Sequence, residues 1–146
     1  MRKRKSLGGG VEQPQPTVAE AVEVLDTAYS ELTKAASKIK RREAAEKGWL
    51  AARLLAQAVL ACANEDWRSP EGLAMRLRRT ELKLDPHCRP WLDEAIRIGR
   101  DSLHGQCFYT GAEEACQTNE IRAGLDKVKL AIPRAKRLCT IGSRKK

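Results

Sequence analysis

Apolar positions recur at three- and four-residue intervals over most of this chain, the spacing of one face of an α-helix. Val18, Ala21, Val22, Leu25, Ala28, Tyr29, Leu32, Ala35, Ala36 and Ile39 form the first series. Thr17 and Glu20 ahead of it have capping-box spacing, in which a hydroxyl and a carboxylate satisfy the orphan amides of a helix start. The pattern predicts a helix over 18–38. The run 38–42, KIKRR, reads either as a basic hinge or as an unbroken continuation.

Over 43–63 the apolar face widens to include Ala44, Ala45, Gly48, Trp49, Ala52, Leu54, Leu55, Ala58, Val59 and Cys62. A helix apolar around most of its circumference is a central one, and small residues let its neighbours approach closely. Trp49 reads as a core anchor. A loop over 64–68 precedes Ser69-Pro70, an N-cap followed by Pro at a first helical position, and a short helix to about 79. Asp85-Pro86 and Arg89-Pro90 then bracket the start of the next helix.

Over 91–104 a wheel of 100° per residue places Trp91, Leu92, Ala95, Ile98, Gly99, Ser102 and Leu103 on one side. Asp93, Arg97, Arg100, Asp101 and His104 fall on the other, facing water or a partner subunit. Residues 106–111 form a turn that Phe108 or Tyr109 fastens to the bundle, and a short acidic helical stretch follows over 112–117. Thr118 caps a last helix with Ile121, Leu125, Val128, Ile132 and Ala135 on one face and a kink at Pro133. Four long helices and one or two short ones give an all-α antiparallel bundle. Its domain spans 17–139, between a basic, Gly- and Pro-marked tail over 1–16, expected to lack order, and a frayed basic tail over 140–146.

Composition agrees with helices: aromatics are only 4%, so Ala and Leu must fill the core. No run of about 18 apolar residues is present, so no membrane span is expected, and the start of the chain does not read as a secretory signal. The net charge of +9 is unevenly placed. Residues 1–11 carry four basic groups and residues 127–146 carry eight, with no acid in either. The stretch between holds 16 basic groups against 19 acids. Basic ends bind phosphate in a salt-dependent way. Arg2, Lys3, Arg4 and Lys5 at one end, and Arg76, Arg78 and Arg79 on the short helix, are the candidate nucleic-acid contacts; each set also reads as a solvated, solubilising surface.

Five cysteines at irregular spacing, without a CxxC pair, read as reduced thiols of a cytoplasmic protein. His104, Cys107 and Cys116 lack a fourth ligand, so neither a metal nor any other cofactor is expected. P-loop, GxSxG and HExxH patterns do not occur. One constellation carries chemistry: Arg97, Arg100, Asp101 and His104 share a face. A histidine beside guanidiniums has the parts for RNA cleavage by 2′-hydroxyl attack, namely a proton acceptor near neutral pH and fixed positive charge for the phosphorane. The same residues also read as an exposed stripe of i,i+4 ion pairs ending in a helix-terminal histidine, each pair contributing about 0.3–0.5 kcal/mol.

Two blocks add a family. Residues 43–52, EAAEKGWLAA, and residues 103–111, LHGQCFYTG, followed by the helix over 120–138, resemble the HEPN superfamily of small helical bundles, in particular its archaeal-type paREP-like branch. The resemblance covers about 17–138. It implies a bundle that commonly forms homodimers. In some members an Arg followed after four to six residues by a His cleaves RNA at the dimer cleft; other members are toxins partnered by nucleotidyltransferase-like proteins, and some only bind RNA or nucleotides. Arg97 and His104 are separated by six residues, but Ile98 stands where a polar residue usually follows the Arg. Arg100-Asp101 has the usual dipeptide, with only three residues between Arg100 and His104. The alternative to a ribonuclease is a non-catalytic helical interaction module.

Overall fold

The computed structural model describes residues 14–145. They form five helices and no strand: α1 (Val18–Lys34), α2 (Lys38–Cys62), α3 (Leu73–Leu84), α4 (Asp93–Ile98) and α5 (Thr118–Lys145). α4 runs without a break into a π-helical segment, Gly99–Tyr109. Arg2, Lys3, Arg4 and Lys5 lie outside the described residues.

Caps set the first two helices. The Thr17 hydroxyl accepts from the Glu20 amide at 3.1 Å, and the Ser37 hydroxyl accepts from the Lys40 amide at 3.2 Å. The chain is extended at Ala35 and Ser37, so the 38–42 run opens a new helix instead of continuing the first. α2 is the central element, touching α1, α3, α4, the π segment and α5. Its Ala44, Ala45, Ala51, Ala52, Leu55 and Val59 are all buried, as its wide apolar face predicts. Gly48 is where the closest approach occurs. A Cβ there would collide with Leu125 of α5 and stand 3.0 Å from Leu103 of the π segment. The missing side chain is what lets three helices meet at one level.

The 91–109 stretch departs from its wheel. Gly99, Leu103 and Cys107 point inward at intervals of four. A π-helix bonds i to i+5, so each turn is wider and the inward stripe advances faster than 3.6-residue spacing allows. The terminal bond from the Thr110 amide to the Gly105 carbonyl, 3.0 Å, has this spacing. Ser102 is therefore exposed where the sequence places it inward. Trp91 lies ahead of α4 and is also exposed. Asp93, expected outside, is buried, because Arg97 at 3.0 Å and Arg78 of α3 at 3.5 Å supply its counter-charge.

Other boundaries differ as well. The α3 helix begins at Leu73 after Gly72 in the left-handed region (φ 63°), not at Pro70, and continues to Leu84. Residues 112–117 are turns, not a helix. α5 passes through Pro133 and continues to Lys145, so most of the expected C-terminal tail is helical.

A buried ionic junction joins α3, the entry to α4, and α5. Glu81 is fully buried, and its Oε1 accepts from the Trp91 and Leu92 amides at 2.9 Å each. Its Oε2 accepts from Arg134 Nε at 2.8 Å, and Arg134 Nη1 donates to Asp85 at 2.8 Å. Glu81 thus satisfies amides at the start of α4 that nothing in its own sequence would cap. Burial opposes the Arg134 charge, but its bonds to Asp85 and Glu81 win and raise its pKa. The hydrogen bond from Arg134 holds the Asp85 carboxyl below the usual range.

The expectation of reduced thiols is corrected. Cys62 is bonded to Cys139 and Cys107 to Cys116, leaving Cys88 free and exposed. The fold brings each pair within bridging range: the end of α2 lies beside α5 with Cα atoms 5.1 Å apart, and the 110–117 turns return to the π segment with Cα atoms 4.9 Å apart. No helix among the described residues is long and apolar enough to cross a membrane.

Candidate active site

One stripe of α2 faces the α4–π segment. Arg42, Glu46, Trp49, Arg53 and Gln57 follow at intervals of four and three, so they stand one above another. Each does something different. Arg42 donates from Nε (2.9 Å) and Nη2 (2.6 Å) to the Phe108 carbonyl, and from Nη2 to the Tyr109 carbonyl at 3.2 Å. It therefore fastens the end of the π segment through backbone. Of the two rings expected to do this, Tyr109 is 77% exposed, whereas Phe108 is half-buried with its ring stacked on His104 at 6.0 Å.

Glu46 Oε1 lies 2.6 Å from His104 Nδ1. A carboxylate only accepts, so this contact places the proton on Nδ1 and leaves Nε2 as the acceptor of the neutral imidazole. The His104 ring sits among Trp49, Phe108 and Tyr109, with centroids 5.9, 6.0 and 6.3 Å away. The imidazole is half-buried, oriented by a carboxylate on one nitrogen and bounded by aromatic rings. That is the base-and-orienter geometry general-base chemistry requires.

Trp49 connects the histidine to the arginines. Its six-membered ring packs against the backbone at Gly99, where a Cβ would come within 2.9 Å of it. On its other side it lines a cavity of about 660 Å³ between α2, the 68–72 loop and α4, together with Arg53, Arg68, Arg97 and Arg100. Arg97 and Arg100 are both exposed there, each held from behind by a carboxylate: Arg97 by Asp93 and Arg100 by Asp101 at 3.0 Å. Asp101 is itself exposed and does not contact His104.

The structure thus brings Arg97 and Arg100 to one cavity and His104 beside it, with Trp49 between. The three arginines of α3 divide. Arg76 donates to the carbonyls of Asp66, Ser69 and Glu71 in the loop before it and lines a smaller hollow with Arg79 and Lys83. Arg78 is exposed and pairs with Asp93 outside that hollow. Glu46, the histidine's partner, is a candidate site residue that sequence reasoning missed. Its signal was the polar stripe interrupting an otherwise apolar α2.

Among the described residues no group of three or more His, Cys, Asp or Glu side chains is arranged to hold a metal. Cys107 and Cys116 are bonded to each other and so cannot ligate beside His104. Comparison with protein-family models, with curated proteins and with solved structures finds no match to this chain.

Proposed function

We propose that this chain is an RNA-binding, HEPN-like helical protein that cleaves single strands at the face shared by α2 and the α4–π segment. The observation that carries the proposal is the 2.6 Å contact between His104 Nδ1 and Glu46 Oε1. In this reading His104 Nε2 takes the proton of a ribose 2′-hydroxyl, and Glu46 holds the ring and stabilises the imidazolium that forms. The freed oxygen attacks the adjacent phosphorus, and His104 returns the proton to the leaving 5′-oxygen. Arg97 and Arg100 supply fixed charge for the phosphorane. The resemblance stated above supports a homodimer, with the nucleotidyltransferase-like partner and toxin role as its further implications.

Purified protein, Glu46→Gln and His104→Ala incubated with labelled single-stranded RNA test the proposal. Cleavage lost in both variants, with unchanged circular dichroism, supports it; cleavage equal in all three, or absent from the wild type, removes it. One observation favours the second reading, a binding module without catalysis. Both candidate guanidiniums already hold a carboxylate, Asp93 and Asp101, which reduces the positive charge left for a phosphorane.

A further inference from the structure

One disulfide ties the end of the π segment to the turns before α5. Cys107 is the last inward residue of the segment, Cys116 lies in those turns, and both side chains are fully buried. The rest of the molecule holds the two partners unequally. Cys116 is pinned from α2: its carbonyl accepts from Arg41 Nε at 2.8 Å, and Lys38 pairs with Glu113 of the same turns at 3.0 Å. Cys107 belongs to a π-helix of 11 residues. Such bonding is rare and mostly confined to single turns, so a segment this long has a competing α-helical register. The Arg42 bonds hold Phe108 and Tyr109, which leaves the bridge as the covalent anchor nearest His104.

The two registers place His104 differently. A helix bonded i to i+5 turns less per residue than an α-helix. Over the five residues from Gly99 to His104 that difference accumulates, and the α register swings the imidazole away from Glu46, which it meets at 2.6 Å in the π register. Breaking the bridge drives this change. Sulfurs bonded at about 2.0 Å must part once they are thiols, and in a close-packed interior the less firmly held partner moves. That partner is Cys107.

We propose that the Cys107–Cys116 bridge is a redox switch on the face that carries His104. Oxidised, it keeps the π register and the His104–Glu46 contact. Reduced, it lets 99–109 relax towards the α register and withdraws His104. The reductant is a dithiol. One of its thiolates attacks a bridge sulfur to give a mixed disulfide, and its second thiol displaces the cysteine. Two cysteine thiols and one oxidised dithiol result, with two electrons and two protons passed to the protein. The buried sulfurs are reached through local opening of the 107–117 loop. The structural switch stands apart from the ribonuclease reading, and only its effect on cleavage rests on that reading.

The test is proton NMR of the histidine rings in two full-length variants, each before and after dithiothreitol. Cys62→Ser/Cys139→Ser keeps the bridge in question, and Cys107→Ser/Cys116→Ser removes it. The ring currents of Trp49, Phe108 and Tyr109 mark the place of His104, and exposed His87 is the internal reference. Alkylation and intact mass report which cysteines are reduced. In Cys62→Ser/Cys139→Ser, dithiothreitol should displace the His104 resonances and glutathione disulfide should restore them, with His87 unmoved. In Cys107→Ser/Cys116→Ser they should be displaced from the start and indifferent to dithiothreitol. RNA cleavage by the first variant should fall about 10²–10⁴-fold on reduction and return on oxidation. Displaced resonances without cleavage in either state keep the switch and remove the ribonuclease reading. Cleavage unchanged by reduction, with His104 in place, removes the switch and keeps the ribonuclease reading. A bridge that excess dithiothreitol leaves intact also overturns the proposal. Should Cys62→Ser/Cys139→Ser fail to fold, wild type against Cys107→Ser/Cys116→Ser makes the same comparison, and identical His104 resonances overturn it.

Discussion

Glu46 and His104, 58 positions apart in sequence, meet at 2.6 Å across the α2–π interface. The contact needs both the stripe on α2 and the wider π turn, which carries His104 round to face it. The Arg42 bonds to the Phe108 and Tyr109 carbonyls lock that segment in place. Arg42→Ala should therefore lower RNA cleavage while leaving most of the protein's helical signal intact. A circular-dichroism spectrum beside a cleavage time course checks it.

The Glu81–Arg134 junction should be a stability hot spot. Replacing Glu81 with Gln leaves Arg134 buried without its full counter-charge, and breaking one partner of a buried pair costs about 3–5 kcal/mol. Arg134→Met strands Glu81 in the same way. Urea unfolding should show a drop of this size for each, and the double variant Glu81→Gln/Arg134→Met should lose less than the sum. An additive double variant would mean that the two side chains act independently.

Stability should fall at both ends of the pH range for identifiable reasons. The Asp85 carboxyl is held below its ordinary value of 3.8 by Arg134, so its contribution is present above pH 4 and fades as pH drops through its folded value. Tyr29 is raised above its ordinary value of 10.0 by burial and by its 2.5 Å hydrogen bond to Asp126. Its contribution is complete below pH 10 and is lost as pH rises beyond that. Thermal unfolding of Tyr29→Phe should show a loss of about 0.5–1.5 kcal/mol at pH 7 and a flatter decline above pH 10 than the wild type.

The two disulfides predict a labelling pattern and an order of effect. Alkylation of unreduced, denatured protein should modify Cys88 alone, read by intact mass. The Cys62–Cys139 bridge closes a separation of 77 residues against 9 for Cys107–Cys116. Loop-closure entropy gives about 4.5 kcal/mol for the first and about 2.7 kcal/mol for the second. Removing Cys62–Cys139 should lower the melting temperature more than removing Cys107–Cys116. Five alkylated cysteines without reductant would contradict the bridges.

The sequence makes α1, α2 and the body of α5 readable because their apolar residues keep a strict helical period and Thr17 marks a start. It does not make the π register readable. Gly99, Leu103 and Cys107 fit the inward face of a wider turn, whereas a 100° wheel also turns Ser102 inward. Asp93 reads as a surface acid on the wheel and Glu81 has no local mark of burial, since what buries them comes from α3, α4 and α5 at once. The cysteine pairs are distant or separated by a turn, and periodicity carries no information about either. For the site, Arg97, Arg100 and His104 were readable as a stripe of chemistry. Glu46 and Arg53 were not, because a long-range partner has no local mark beyond a polar residue on an apolar helix.

The central claim is that Glu46 orients His104 for proton transfer, and the most direct measurement is the single-turnover rate of RNA cleavage by the wild type, Glu46→Gln and His104→Ala. The account predicts that Glu46→Gln lowers the rate by a factor of about 10²–10⁴, the usual range for losing a positioned proton acceptor, and that His104→Ala lowers it at least as far. An unchanged rate in Glu46→Gln would contradict the account.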